Sequence, residues 1–382
     1  MSDHSTAVAG DPVRLFMELA ALPSPSRCER AVADLVTSRL RALGLEVVED
    51  EAGVGVGGDT GNLVCRVPGA GGLPCITLAA HLDTVEPTGP LQPVLEDGVI
   101  RNAGGTVLGA DNKAAVAALL HVTEALVRSG RPFPAYELVF TVAEELGVQG
   151  ARYLPPDVPS APFGVVFDSS GPVGGIVLRS PSQQTITAEF RGRAAHSGLE
   201  PERGASAILA AAHAISLMEL GRLDEETTAN VGVIRGGVAR NIVPALCIVE
   251  SECRSHDEAT LAQTTAAMVH ACQEGAARAG VDVDVDLVLQ YRSFRLPKTD
   301  PVVRAARDAL TALGLEPNYL TSGGGSDANV FNLRGTPTVN LDCGMMSVHT
   351  PEEHIRVAEL ERLVDLVERL IENPPPPPKE KS

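Results

Sequence analysis

Five short clusters of ionisable residues stand out in this chain of 382 residues: His81-Leu82-Asp83, Asp111-Asn112, Glu144-Glu145, Asp168 and His349. Two imidazoles with several carboxylates, and no cysteine among them, suit Zn²⁺, Co²⁺ or Mn²⁺, and their number suffices for two ions. Two ions about 3.5–4 Å apart need a carboxylate that bridges them. Asp111 is best placed for that, at an expected helix start approached through Leu108-Gly109-Ala110. Asp83, two residues beyond His81, can accept from the second nitrogen of that ring. Adjacent side chains such as Glu144 and Glu145 point in different directions, so one can bind a metal while its neighbour stays free as a general base. Singly, each piece is ordinarily structural, as a helix cap, a turn or a solvated helix start. Their force comes from where they fall together.

His81 follows the apolar run Ile76–Ala80, Glu144-Glu145 follows Leu138–Val142, and Asp168 follows Val165–Phe167. Asp111-Asn112 opens an Ala/Leu/Val-rich segment, Lys113–Arg128, and His349 stands just before Pro351-Glu352-Glu353. These runs, with Leu45–Val48 and Leu63–Val67, are short, apolar and bounded by Gly, Pro or charge, which predicts buried strands. Ser26-Arg27-Cys28-Glu29 reads as a capping box that opens a helix through Arg41, closed by Gly44. Strands alternating with helices imply an α/β layer fold, and strand ends in such sheets are where ligands bind.

From Thr185 the texture changes. Thr185–Phe190 alternates polar and apolar residues, as a strand with one wet face does. Helix Ala205–Leu220, strands Asn230–Ile234 and Ala245–Cys253, helix Glu258–Ala279 and strand Val281–Leu289 are predicted to follow, an order β-α-β-β-α-β that defines the ferredoxin-like unit. Residues 180–291 therefore read as a domain inserted into an α/β portion formed by 1–179 and 292–372. In that second piece, helices Pro301–Leu313, Asp327–Leu333 and Pro351–Ile371 and strand Thr338–Leu341 are expected. Residues 373–382 read as a Pro-rich solvated tail. Among the remaining histidines, His196 lies in the small-residue loop Ala194-Ala195-His196-Ser197-Gly198 and is open to either a surface or a site role.

Composition narrows the classes further. The formal net charge is −18, which disfavours nucleic-acid backbones as partners. Hydrophobic residues make up 44% and Trp is absent, so a core of ordinary size is built from Ala, Val and Leu. No run approaches the roughly 18 apolar residues of a membrane span, and the first residues lack the look of a secretory signal. Seven scattered cysteines without a CxxC pair fit a reducing cytosol. No P-loop GxxxxGK[ST] is present, which counts against P-loop kinases.

The ordered set His81-Leu82-Asp83, Leu108-Gly109-Ala110-Asp111-Asn112-Lys113, Glu144-Glu145-Leu146-Gly147, Asp168 and His349 resembles the co-catalytic dizinc peptidases that include peptidase T, glutamate carboxypeptidase and aminoacylase. The likeness extends from about Asp11 to Ile371 and takes in Ala195-His196-Ser197-Gly198, Gly236-Gly237, Asn241-Ile242-Val243-Pro244 and Gly323-Gly324-Gly325-Ser326-Asp327. It implies a three-layer α/β catalytic domain with a ferredoxin-like lid, and two divalent ions, zinc first among them. His81, Asp111 and Asp168 would hold one ion, and Asp111, Glu145 and His349 the other. Glu144 would be the general base and Asp83 would orient His81. The lid would carry the homodimer contact, with His196 reaching the partner subunit's site as oxyanion donor. Arg254, Asn241 and the glycine loop at Gly324 would contact substrate. Asp168, followed by Ser169-Ser170-Gly171, is most similar to the peptidase T branch, implying a tripeptide aminopeptidase. The alternatives are an N-acyl amino-acid deacylase or carboxypeptidase of the same family and, more distantly, a non-catalytic metal-binding protein.

Overall fold

A computed structural model describes residues 11–86 and 89–376. Of the tail expected at 373–382, positions 377–382 lie outside the described residues, and 374–376 have no regular secondary structure. Contacts divide the chain into two units, one of 1–179, 295–322 and 326–382, the other of 180–294 with the glycine loop 323–325.

The first unit has a mixed α/β fold. Four neighbouring strands of its main sheet run parallel, in the order Tyr136–Thr141, Thr77–His81, Gly164–Ser169 and Thr338–Asp342. Leu63–Val67 pairs antiparallel beside the first of these and Gly175–Ser180 beside the last. Every residue of Thr77–His81 and of Tyr136–Thr141 is buried, so the sheet is covered on both faces and its strands read as unbroken apolar runs. Helix Ala110–Ser129 lies against this sheet and packs with helices Pro12–Ala20 and Val357–Glu372. Its Ala114, Ala115, Ala117 and Ala118 are fully buried. Such small side chains bring helix and sheet close, which is how a chain poor in aromatics fills a core.

Two local expectations are corrected. The helix expected from Ser26 begins at Arg30, and Glu29 gives no side-chain cap. Ser26 Oγ donates instead to Asp83 Oδ2 at 2.7 Å, and Glu29 Oε1 accepts from the Arg27 and Ala143 amides at 2.9 and 3.0 Å. The far end behaves as expected: Gly44 has φ +79°, and bonds from Gly44 N–H to Arg41 and from Leu45 N–H to Leu40 close a Schellman motif. The helix expected from Pro351 begins at Val357, because His354–Arg356 is a strand. It joins a small antiparallel sheet in the order Met345–Met346, His354–Arg356, Val99–Asn102, Pro93–Glu96. Buried Ile355 sits opposite buried Ile100, a pairing across the chain that overrides local helical preference.

The second unit is an antiparallel sheet in the order Gly221–Arg222, Thr227–Gly236, Leu246–Ser255, Ser182–Arg191, Asp282–Tyr291. Helices Ala207–Leu217 and Glu258–Ala279 connect its long strands in the chain order strand-helix-strand-strand-helix-strand. The helices pack through Ala210, Ala214 and Gly275, and a Cβ at Gly275 would lie 2.6 Å from Ala210 O. Phe190, Val249, Cys247 and Cys272 complete that core.

Among the described residues, no helix is long and apolar enough to cross a membrane.

Candidate active site

Apolar residues carry the four parallel strands to a common edge, and the chain turns polar where they end. His81 is the last residue of Thr77–His81 and pairs in register with Thr141, after which Val142-Ala143 lead to Glu144 and Glu145. Asp168 lies near the end of Gly164–Ser169. Its backbone is gripped by the Asn340 side chain, which accepts from Asp168 N–H at 2.9 Å and donates to Asp168 O at 3.1 Å. Asp111 begins helix Ala110–Ser129 after Gly109, whose φ of 74° suits glycine. His349, also left-handed at φ +64°, occupies the turn between Met345–Met346 and His354–Arg356.

These side chains converge. His81 Nε2 is 3.0 Å from Asp111 Oδ1 and 3.3 Å from Asp168 Oδ1. His349 Nε2 is 2.9 Å from Glu145 Oε1 and 3.4 Å from Asp111 Oδ2. Asp111 thus turns one oxygen to each imidazole. His81 is buried, whereas the His349 side chain is 48% exposed, so the cluster opens on the His349 side.

Orientation comes from a deeper layer. Asp83 Oδ1 accepts from the Glu144 amide at 3.0 Å and Oδ2 from the Glu145 amide at 3.1 Å. With Glu29 holding the Ala143 amide, three successive N–H groups point at carboxylates, which sets the direction of the two glutamates. Ala143 accepts φ +51° to allow it. His81 Nδ1 lies 2.9 Å from the backbone oxygen of Asp83 and 3.3 Å from its Oδ1, so Asp83 holds the ring chiefly through its carbonyl. With the Nδ1 proton held by that oxygen, a neutral ring would offer the Nε2 lone pair to a cation. Asp327, buried at the start of helix Asp327–Leu333, accepts from Thr141 Oγ1 at 2.5 Å.

Electrostatics shows what the cluster is short of. Burial raises Glu144, with the charge of Asp168 adding to the rise, and burial likewise raises Glu145. Burial pushes Asp168 up to about 8. Although burial opposes it, hydrogen bonds from His349 and His81 hold Asp111 below the usual range. His349 rises to about 10 through its bonds to Asp111 and Glu145. His81 is raised as well, since Asp168 and Asp111 outweigh its burial. Negative charge exceeds what two imidazoles can balance. The donor set fits divalent cations: His81, Asp111 and Glu145 offer ligand atoms within 4.8 Å of one another, as do His81, Glu144 and Asp168. Glu144, expected as a free base, is therefore also within reach of a metal donor set.

The other expected residues belong to the second unit. Arg254 Nε donates to Glu252 Oε1 at 2.9 Å and its Nη1 reaches Gly323 O at 3.5 Å, beside Gly324. His196 and Asn241 lie side by side: Ser197 N–H donates to Asn241 O at 3.0 Å, and His196 forms a bridge with Ile242. Gly198 N–H donates to His196 Nδ1 at 3.1 Å, which puts the proton of the neutral ring on Nε2.

Sequence reasoning missed Ser26, Glu29, Asn340 and Glu353 as supports of the first cluster. A polar Asn340 between apolar Val339 and Leu341 was a readable signal. Glu353 follows His349 by four residues, in a segment noted only for its helix start.

Three comparisons bear on this arrangement. The model of a family described as peptidase family M20/M25/M40 matches residues 77–373. The Bacillus subtilis (strain 168) uncharacterized protein YqjE is 37% identical over 94% of this chain and 96% of its own length. The solved structure of aminopeptidase PepT from Bacillus cereus shares 38% identity with a TM-score of 0.80, covering 95% of this chain and 97% of that one. A tripeptidase from Staphylococcus aureus shares 36% identity with a TM-score of 0.85, covering 94% and 97%.

Proposed function

The chain belongs to peptidase family M20/M25/M40 and is a metallopeptidase, and on that premise we propose that it hydrolyses short peptides as a tripeptide aminopeptidase of the peptidase T type. The observation that carries the reading is Asp111, with one carboxylate oxygen toward His81 and the other toward His349. That is the placement a bridging ligand needs. We assign His81, Asp111 and Asp168 to one divalent ion and Asp111, Glu145 and His349 to a second, with zinc the first candidate and cobalt or manganese the substitutes. When bound, such ions supply Lewis acidity and lower the pKa of water toward neutrality.

The chain's own groups do the rest. Glu144 takes the proton of the attacking water on its carboxylate and returns it to the leaving amine nitrogen, worth roughly 10²–10⁴-fold. Asp83 and Glu29 keep Glu144 aimed by holding the amides around it. His196, with its proton on Nε2, donates to the developing oxyanion, worth on the order of 10²–10³-fold. In the resemblance this occurs in the partner subunit's site, and the inserted unit is the ferredoxin-like lid and homodimer contact. Exposed Leu199, Val238 and Ile242, near His196 and Asn241 in sequence or contact, support an interface there. Arg254, held by Glu252, is suited to gripping a peptide carboxylate, with Asn241 and Gly324 as further contacts. Seven unpaired cysteines support a cytosolic setting.

The test is a hydrolysis screen of di-, tri- and tetrapeptides, free or blocked at each end, on metal-stripped enzyme resupplied with Zn²⁺, Co²⁺ or Mn²⁺. Preference for free tripeptides is the expected result. Preference for N-blocked substrates would replace the aminopeptidase reading with the deacylase or carboxypeptidase one.

A further inference from the structure

One buried carboxylate of the first unit has no role in the reaction above. Glu353 is 2% exposed. Its Oε2 accepts from the Leu108 and Gly109 amides at 2.7 and 2.8 Å, and its Oε1 from the Asp111 amide at 2.9 Å. These amides lie on the approach to helix Ala110–Ser129, where Gly109 is left-handed and Asp111 and Asn112 keep non-helical backbone angles. Buried backbone N–H groups in such an irregular stretch have no ladder partner and need an acceptor. Here the acceptor comes from 242 to 245 residues further along the chain. The segment that supplies it also carries His349, four residues earlier, in the turn that precedes strand His354–Arg356.

We propose that Glu353 is a positioning residue of the metal centre, tying the backbone of Asp111 to the turn that presents His349 so that the two side chains stay convergent. The inference rests on the reading of Asp111 and His349 as ligands of one ion. The tie matters because the two ligands share no element: Asp111 lies in the irregular lead-in to helix Ala110–Ser129, and His349 hangs from a turn of the small sheet. Asp111 Oδ2 and His349 Nε2, 3.4 Å apart, are held there through this one carboxylate and the pairing of His354–Arg356 with Val99–Asn102. A carboxylate receiving three N–H groups has no neutral isostere. In Glu353→Gln an amino group replaces one acceptor and faces an amide donor, so at least one bond is lost and the Asp111 backbone is released.

Metal-stripped wild type, E353Q and a control are titrated with Co²⁺ alone, followed by calorimetry and by the visible absorption of the bound ion. The control is Glu137→Gln. Glu137 is equally buried and accepts from Thr77 Oγ1, Ser160 N–H and Ser160 Oγ, at the opposite end of strand Tyr136–Thr141 from Thr141. Urea midpoints of the stripped proteins record the purely structural cost of each change. The expected result is two ions in wild type, with the weaker of them bound about 10–100-fold less tightly in E353Q and with an altered spectrum. E137Q lowers the urea midpoint and leaves both ions as in wild type. Wild-type affinity and spectrum in E353Q overturn the inference, as does an equal loss of affinity in E137Q. A wild type that takes up fewer than two ions removes the binuclear centre itself, and the inference with it. If E353Q does not fold, Glu353→Asp, whose shorter arm cannot reach all three amides, decides by the same readouts.

Discussion

Glu29 offers a test of how burial sets charge beside the cluster. Its Oε1 accepts two amide N–H groups, while Oε2 is buried with no partner among the described residues. Burial lifts its pKa from 4.5 to about 7, against the pull of those amides, and the nearby charge of Asp83 adds to the rise. Between about 4.5 and 7 the folded chain keeps a proton that the unfolded chain has released. Folding then takes up a proton, so stability falls as pH rises across that window. Below it both states are protonated and nothing is lost; above it both are ionised and the loss is complete. At about 1.4 kcal/mol per pH unit the full window is worth roughly 3 kcal/mol. Glu29→Gln keeps an acceptor for the two amides and has no proton to lose. Its absolute stability depends on how the new amino group is accommodated, but the difference from wild type isolates the slope. Urea unfolding at pH 4.5 to 8, at a fixed divalent-ion concentration, measures it. Far-UV circular dichroism is the probe, since the chain has no Trp. E29Q gains on wild type by roughly 3 kcal/mol from the acid to the alkaline end. Parallel curves, or a gap that closes as pH rises, would refute the argument that Glu29 is protonated in the fold.

Other outcomes follow from the same geometry. Glu144→Gln retains its metal and loses about 10²–10⁴-fold in kcat, so metal analysis and turnover on one sample check the base assignment. Asp111→Asn retains neither ion after gel filtration, because one carboxylate serves both, and two ions per chain in that variant exclude bridging. Gly275→Val places a branched side chain where even a Cβ would meet Ala210 O at 2.6 Å, and it lowers stability by about 1–3 kcal/mol, read as a reduced urea midpoint. Mixing His196→Ala subunits with Glu144→Gln subunits restores part of the activity if His196 acts in a partner's site. Verified heterodimers without activity exclude that arrangement.

How much of this was legible before any coordinates depended on the range of the forces involved. Strands that end in His81 and Asp168 announced themselves because a buried sheet needs unbroken apolar runs, and an ionisable residue at their limit has few other reasons to be there. Helices Glu258–Ala279 and Asp327–Leu333 have the expected bounds, since each carries its own start and stop signals. The small sheet was not legible. Its strands are two to four residues long and exist through pairing with distant partners, as Ile355 does with Ile100. The supports of the cluster were hidden for the same reason. Glu29 was expected in a capping box with Ser26, but the amides it reaches are those of Arg27 and Ala143, the latter 114 residues away. Asn340 and Glu353 act over 172 and up to 245 residues.

That His81 and His349 stand so far apart along the polymer also sets a timetable. Ribosomes add roughly 5–20 residues per second, so the two imidazoles are made some tens of seconds apart. Throughout that interval the growing chain displays acidic groups and one imidazole without their late counterpart. On the proposed ligand assignment, two ions would be captured in their final form only once translation has passed the turn that bears His349, so loading would belong to the finished polypeptide and not to the nascent one.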